Sequence, residues 1–414
     1  MTSTPGNETL RLVLLNDLLS DLEVTVPHIA MVSIPFPGHV NPSIEVIREL
    51  VARGHRVTYA NDPSYAEIVE AAGAEFRPYR STLVDGNDGS DGDAIDQLTL
   101  FLDDAIAMLP QLREAYQDDR PDLFLYDIAG APARLLAEQW GIPSMQLSPT
   151  FVAWEGYEQE MAPMVEAMRA DPRGAAYYHR FEQWLTDNGS SVTDSMAFQG
   201  RPERSLVLIP RAMQPHADRV DEKVYSFAGP IFGDRTDQGT WVRPADARDV
   251  LLVSLGSAFT EHPEFYRRCV EAFGDLPGWH VVLQIGRHVD PAVLGELPGN
   301  IEVHSWVPQL EVLRQASAFL THAGMGGSVE GLYCGTPMLV APQAVDQFGN
   351  ADRLVELGVA RRIDTTVSAE QLRETFEDLI NDPEVRRASA AISRELRDGS
   401  GAEYAATLIE NAAA

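Results

Sequence analysis

The sequence predicts an α/β protein of two similar halves, each a doubly wound parallel sheet, and three observations predict it. Short apolar runs that read as buried strands alternate with helix-patterned segments from residue 28 to the end of the chain. The first such run, helix and run make a strand–helix–strand unit, whose connection length forces the two strands to be parallel. A polar stretch carrying Gly239 and Pro244, residues 234–248, then divides the alternation in two, and 414 residues exceed one ordinary domain.

In order, residues 28–34 (HIAMVSI) read as the first strand and 35–39 as a loop. Asn41 reads as a helix cap and Pro42 as the first helical residue, because proline's missing N–H costs nothing there. Ile44, Ile47, Leu50 and Val51 recur at helical spacing until Gly54 ends the run. A strand over 56–60, a helix over 63–72 stopped by Gly73 and a strand over 75–79 follow. Residues 81–93, rich in Gly and Asp, read as an exposed loop. Next come a helix over 95–116, a strand over 122–127 ending in an acid, a helix over 131–140 closed by Gly141, and a strand over 144–148.

Residues 149–199 crowd together Phe151, Trp154, Tyr157, Met161, Met164, Met168, Tyr177, Tyr178, Phe181 and Trp184. Two readings stand: helices packing a core, or an apolar pocket with adaptable methionines. A strand over 205–209 closes the half. The second half reads as a strand over 250–255, Gly256-Ser257, a helix over 264–273, and strands over 280–285, 301–304, 318–321 and 338–341. Helices over 369–380, 383–398 and 402–412 end the chain. Residues 1–27 read as an extension, helical or disordered.

Composition narrows the function. A hydrophobic fraction of 44% with 23% charged residues is that of a folded globular chain. The net charge of -30 argues against nucleic acid or an anionic membrane as partner. No apolar run approaches the ~18 residues of a membrane span, and no leader with a cleavage site is visible, so a cytoplasmic location is expected. Cys269 and Cys334, both in apolar surroundings, read as reduced thiols. Nothing in the sequence speaks to oligomeric state.

Two constellations carry chemistry. His39 follows the first strand and Asp127 ends another strand of the same half, so both project at the carboxyl edge of the sheet, where ligands gather. A histidine there serves structure about as often as function. Paired with a carboxylate it becomes a base, since the acid fixes the tautomer and stabilises the imidazolium. The second constellation centres on His322-Ala323-Gly324-Met325-Gly326-Gly327-Ser328, between a strand and a helix-like run over 329–334. It is neither GxGxxG nor a Walker loop, and such a stretch can be only a tight turn. A strand feeding glycines that open a helix also offers unpaired N–H groups and a helix dipole to a phosphate. Around it, Trp306 offers a plane for a base, and Glu330 an acceptor for vicinal hydroxyls. Asp346-Gln347 pairs groups suited to sugar hydroxyls, and Ser257 is a further phosphate candidate. No cluster of Asp or Glu looks like a metal cage.

Taken in order, WVPQ (306–309), THAGMGGSVEG (321–331) and PQAVDQ (342–347) resemble the donor signature of nucleotide-sugar glycosyltransferases. With PGHVNP (37–42), YDI (126–128) and SLGSAFT (254–260), the chain from His28 onward resembles the macrolide glycosyltransferases of actinomycetes, the oleandomycin glucosyltransferase group. The resemblance implies the GT-B fold: two facing Rossmann-like domains with doubly wound parallel sheets and a cleft between them. Residues 28–233 would bind the acceptor, 249–398 the nucleotide sugar, and the helix of 399–414 would pack back on the first domain. Trp306 would stack on uracil, Gln309 and Glu330 would serve the ribose, and His322, Gly326, Gly327 and Ser328, with Ser257 nearby, would hold the diphosphate. Asp346 and Gln347 would bind the hexose. His39 would be the general base, oriented by Asp127, and Phe36, Phe151, Trp154 and Tyr157 would line the acceptor pocket.

The implied reaction is inverting transfer of glucose from UDP-glucose, as co-substrate, to a macrolide-type or other bulky apolar acceptor. It needs no cofactor and no metal, and it would inactivate an antibiotic. Alternatives are a TDP-deoxysugar transferase, a catalytically silent activator on the same fold, and a UDP-sugar 2-epimerase. Plant relatives carry tryptophan and asparagine where this chain has Met325 and Gly326, which shifts the work at the phosphate to backbone N–H groups.

Overall fold

The structure is a computed structural model, and it describes residues 26–83, 93–233, 238–256, 260–344, 346–399 and 401–413. The expected N-terminal extension, save its last two residues, therefore lies outside the described residues, as do most of the loop of 81–93, the start of the linker, and Ser257.

The first sheet is parallel throughout, in the order β3-β2-β1-β4-β5-β6-β7. Its strands are β1 (His28–Val32), β2 (Arg56–Asn61), β3 (Glu75–Pro78), β4 (Leu123–Asp127), β5 (Ser144–Ser148), β6 (Ser205–Val207) and β7 (Tyr225–Phe227). Every residue of β1 is buried. Both faces of a parallel sheet are covered by helices, so its central strands read as unbroken apolar runs. Ile29 and Met31 point to one core, shared with helix α1 (Pro37–Ala52) and helix α2 (Ala66–Ala71). Ala30 and Val32 point to the other, with α3 (Ala94–Tyr116), α4 (Ala131–Trp140), α5 (Tyr157–Ala170), α6 (Pro172–Asp187) and α7 (Ser195–Gly200) above it.

The second sheet repeats the plan in the order β10-β9-β8-β11-β12-β13, all parallel. Here β8 is Asp249–Ser254, β9 Trp279–Gln284, β10 Ile301–His304, β11 Ala318–Thr321, β12 Met338–Val340 and β13 Ala360–Arg362. The helices are α8 (Pro263–Phe273), α9 (Gln309–Leu313), α10 (Met325–Cys334), α11 (Gln347–Glu356), α12 (Ala369–Asn381) and α13 (Pro383–Arg397). Leu251 and Val253 face a core with α8 and α12. Val250 and Leu252 belong to a core that also takes in Val152, Val207, Ile209 and Met213, so apolar packing is continuous between the two halves. Arg353 of α11 adds a polar tie, donating from Nε and Nη2 to the Ala212 carbonyl at 2.9 and 2.8 Å.

The last helix, α14 (Gly401–Ala413), lies against the first half, burying Ala405, Ala406 and Ile409 in the core of α1. Arg53 at the end of α1 donates to Glu410 and Thr407 at 2.8 and 2.9 Å, and His55 Nε2 meets Glu410 at 2.8 Å.

Several elements depart from the sequence reading. Helix α1 begins at Pro37, not at Asn41: Val40 N–H donates to Phe36 C=O at 3.0 Å, and Pro37 is pre-set for the first turn. Pro42 is then internal and gives up only its own bond. The glycine stretch is not a loop before a helix; Gly326, Gly327 and Ser328 are already the first turn of α10. Within 81–93, Ser81 and Leu83 are buried, not exposed, because Asp104 accepts from Ser81 Oγ and Thr82 N–H at 2.8 and 2.6 Å. Strands β7 and β13 and helices α9 and α11 are three to ten residues long, and the sequence pattern had not marked them.

Candidate functional site

In the first half, β1 and β4 are neighbours, and the chain leaves them at the same edge in opposite directions across the sheet. That places His39, in the first turn of α1, over Asp127, the last residue of β4. His39 Nδ1 and Asp127 Oδ2 are 2.8 Å apart. Asp127 also accepts from Ile34 N–H at 3.2 Å on Oδ2 and from Ala129 N–H at 2.8 Å on Oδ1. Three donors thus converge on a carboxyl that is 1% exposed, which demands an acceptor and puts the imidazole proton on Nδ1. Nε2 then carries a lone pair, and the ring is 20% exposed. Beneath it Tyr59 OH bridges Ser33 Oγ and Ser43 Oγ at 2.8 and 2.9 Å, and Asn61 Nδ2 donates to Ser33 Oγ at 2.8 Å. This buried net fixes the turn that supplies Ile34.

In the second half the corresponding edge holds His322, just after β11. Ala323 adopts φ 62, a left-handed conformation that a non-glycine residue takes at a cost. Thr321 Oγ1 accepts from its N–H at 3.3 Å and Asn350 Nδ2 donates to its carbonyl at 3.0 Å, which together hold the turn. The turn lays the His322 ring between two glycines. A Cβ on Gly256, itself at φ +82, would come within 2.6 Å of His322 Cε1, and one on Gly324 would overlap the ring. Burial pushes the His322 imidazolium down to about 4, with the Ser254 backbone opposing weakly, so the ring is neutral at pH 7.

Helix α10 starts beside this ring. Gly324 caps it without a side chain, and Ser328 N–H makes the first bond, to Gly324 C=O at 2.9 Å. The N–H groups of Gly324, Met325, Gly326 and Gly327 are the ones a helix start leaves unpaired. Among the described residues the buried Ser328 Oγ has no hydrogen-bond partner. Such a start has the donors and the dipole that suit an anion.

The other expected residues fall around it. Trp306 is 48% exposed in the segment between β10 and α9. Gln309 Nε2 donates to Glu330 Oε2 at 2.7 Å, so these two act as a unit. Asp346 is exposed to the cleft, and Asn350 donates to its Oδ2 at 2.8 Å. The protein mass around it raises its carboxyl above the ordinary range, and it lies within electrostatic reach of His39, which acts in the opposite sense. Gln347 is buried; its Oε1 accepts from Gln343 and Ala344 N–H at 2.9 and 3.2 Å, which leaves only its NH2 for a ligand.

A cavity of about 1430 Å³ opens beside the first sheet, lined by Phe151, Trp154, Tyr157, Met161 and, next to Asp127, Ile128. The aromatic segment therefore divides: Tyr177, Tyr178, Phe181 and Trp184 are core, with Met168 packed against them, while Phe151, Trp154, Tyr157 and Met161 line the cavity. Phe36 is not part of that wall. It packs beside His39, with ring centroids 6.2 Å apart, and edge-on to Phe101 at 6.3 Å. Phe151 reaches across to the second half, where a Cβ on Gly349 would sit 3.6 Å from its ring.

Gly256 and Asn350 shape this site without having been singled out as site residues. A glycine shortly after β8, and an Asn four residues beyond Asp346 on a helix, were the available signals. Among the described residues no group of three or more His, Cys, Asp or Glu is placed to hold a metal ion, and no helix is long and apolar enough to cross a membrane.

Comparison with known proteins matches this architecture. A family model described as UDP-glucoronosyl and UDP-glucosyl transferase fits residues 232–399. The chain is 58% identical to the oleandomycin glycosyltransferase of Streptomyces antibioticus, over 94% of this chain and 91% of that one. It is 34% identical to an NDP-glycosyltransferase of Bacillus licheniformis, over 92% and 97%. The crystal structure of the glycotransferase of kitacinnamycin superposes with a TM-score of 0.88 at 57% identity, covering 94% of this chain and 99% of that one. The calicheamicin glycosyltransferase CalG4 gives 0.83 at 33%, covering 94% and 98%. With two facing parallel sheets and relatives of this kind over nearly its whole length, the chain is a glycosyltransferase of the GT-B fold and belongs to the UDP-glucoronosyl and UDP-glucosyl transferase family.

Proposed function

We propose that the protein transfers glucose from UDP-glucose, with inversion, to a hydroxyl of a macrolide-type or similarly bulky apolar acceptor. The observation that carries this reading is the His39–Asp127 pair, 2.8 Å apart on one side of the cleft, within electrostatic reach of Asp346 on the side that bears the anion seat. His39 Nε2 takes the proton of the acceptor hydroxyl. The oxygen attacks the anomeric carbon, and the bond to the UDP oxygen breaks on the opposite face. A positioned base of this kind supplies ~10²–10⁴-fold. The leaving diphosphate is met by the unpaired amides of α10, by Ser328 Oγ and by neutral His322 as hydrogen-bond donor. These donors are the reason to expect turnover in EDTA equal to turnover without it.

Trp306 stacks on uracil, the Gln309–Glu330 unit takes the ribose hydroxyls, and Asp346 with the Gln347 NH2 takes the hexose. A site built to pair sugar hydroxyls disfavours a deoxysugar, which leaves those groups unmet. The cavity of about 1430 Å³ exceeds the ~300–1,000 Å³ of ordinary small-molecule sites, which fits a macrolide-sized body. The 58% identical relative is an oleandomycin glycosyltransferase, which supports the same acceptor class. Glucosylation of such an antibiotic would abolish its activity and protect its producer.

The test is incubation of the pure protein with UDP-glucose, or with a TDP-deoxysugar, and a panel of macrolides and phenols. A hexose added to a macrolide by mass spectrometry, and lost in His39→Ala that still binds UDP, is the expected result. Transfer only from the TDP-deoxysugar, or near-normal turnover by His39→Ala, would overturn the donor or the base assignment respectively.

A further inference from the structure

We propose that Gln284, the last residue of β9, is a positioning residue that sets the span between the nucleobase platform and the diphosphate seat. Its side chain is buried, 6% exposed, and reaches two different loops. Nε2 donates to the Gly256 carbonyl at 3.0 Å, and Oε1 accepts from Val307 N–H at 3.1 Å. One carboxamide thus crosslinks the turn after β8 to the segment after β10. Each partner sits next to a donor-site group. Gly256, at φ +82, forms one wall of the His322 cradle. Val307 is a buried anchor, 3% exposed, and the residue before it is Trp306, 48% exposed. Among the described residues no other polar side chain bonds both loops.

The inference rests on the donor-site reading above. A nucleoside diphosphate touches Trp306 at one end and α10 at the other, so its affinity depends on the distance between the two subsites as well as on each subsite. A fragment that touches one end does not feel that distance. This is the arithmetic of linked binding: the second contact is gained only when the geometry allows both at once. A residue that merely supported the fold would weaken fragment and whole ligand together.

The experiment is calorimetry of the full chain with UDP, uridine and inorganic pyrophosphate, on wild type, Gln284→Met and Gln284→Asn. Gln284→Met keeps the volume and removes both hydrogen bonds; Gln284→Asn keeps the amide on a stem too short to hold both loops, which guards against a folding failure of the first. The expected result is UDP weakened about tenfold or more, with uridine and pyrophosphate each changed less than about twofold. In turnover the same variants raise the KM for the donor and leave the KM for the acceptor unchanged. Equal weakening of all three ligands, or unchanged UDP affinity, overturns the proposal. Wild type that binds none of the three overturns the donor-site reading instead, and the role of Gln284 with it.

Discussion

Asp127→Asn is the sharpest perturbation the site offers, because it changes one atom type and no volume. The carboxyl now receives three donors: His39 Nδ1–H, Ile34 N–H and Ala129 N–H. A carboxamide has one oxygen. With that oxygen on Ala129 N–H, the NH2 faces Ile34 N–H and His39. The imidazole must then accept at Nδ1 and carry its proton on Nε2, the nitrogen assigned to deprotonate the acceptor. With the amide flipped, the tautomer survives and the NH2 clashes with Ala129 N–H. Either way one buried N–H loses its acceptor, at about 1–3 kcal/mol of stability. Either way the imidazolium formed in the transition state loses its counter-charge. Unit charges near 3 Å interact by about 5–6 kcal/mol at an effective dielectric of ~20, and the 20% exposure of His39 lets water return part of it. A loss of about 4 kcal/mol in the barrier, roughly 10³ in kcat, is the working value.

The assay is single-turnover hexose transfer followed by mass spectrometry, with UDP affinity measured on the same preparation. Asp127 touches no group assigned to the donor, so UDP affinity stays within about twofold. A fall in kcat of less than about tenfold, with the fold intact, would refute the argument that Asp127 works through the His39 tautomer and charge. A parallel loss of UDP affinity would show instead that the substitution had deformed the cleft.

Other outcomes follow from the same geometry. Gly256→Ala puts a side chain on a left-handed residue, at about 1–2 kcal/mol, and into the His322 ring; thermal unfolding should fall and the Kd for UDP rise at least about tenfold. His322, held near 4 against an unperturbed 6.5, destabilises the fold as pH drops through that window. The unfolded chain binds the proton first there, so unfolding curves from pH 7 to pH 4 should show up to roughly 3 kcal/mol less loss in His322→Gln. A diphosphate beside the ring raises its pKa, so UDP binding near pH 5 should take up a proton, read as a buffer-dependent enthalpy in calorimetry. Trp154→Ala removes an aromatic wall of the cavity, and by about 1.5–3 kcal/mol of lost apolar contact should raise acceptor KM some ten- to hundredfold with UDP affinity unchanged.

Much of this was legible in the sequence because alternation and edge chemistry are local. HIAMV and LFLYD read as strands through burial on both faces, and an acid at the end of one must project at the carboxyl edge. What was not legible depended on contacts between distant segments. Asn41-Pro42 has the better cap chemistry, yet α1 starts at Pro37 because the buried net of Ser33, Ser43 and Tyr59 fixes the preceding turn. Phe36 reads as one more aromatic of the acceptor wall, but an earlier helix start turns it beside His39 and Phe101. Gln347 reads as a sugar clamp from its neighbour Asp346; only the folded loop reveals that its oxygen is taken by two backbone amides.

The two halves also explain one another. In the first sheet the order reverses between β1 and β4, and in the second between β8 and β11, so each half has its crevice at the same topological place. The first crevice is filled from the turn after β1 and the end of β4, by His39 and Asp127. The second is filled from the turn after β8 and the turn after β11, by Gly256 and His322. One fold position thus yields opposite chemistry. A carboxylate under the first histidine accepts from its Nδ1–H and leaves Nε2 as the acceptor. Among the described residues no acid accepts from the second, glycines close on both sides of it, and burial holds it neutral, so that ring offers an N–H without carrying a charge. What stands beneath each ring, more than the histidine itself, therefore separates the proposed proton acceptor from the proposed anion seat.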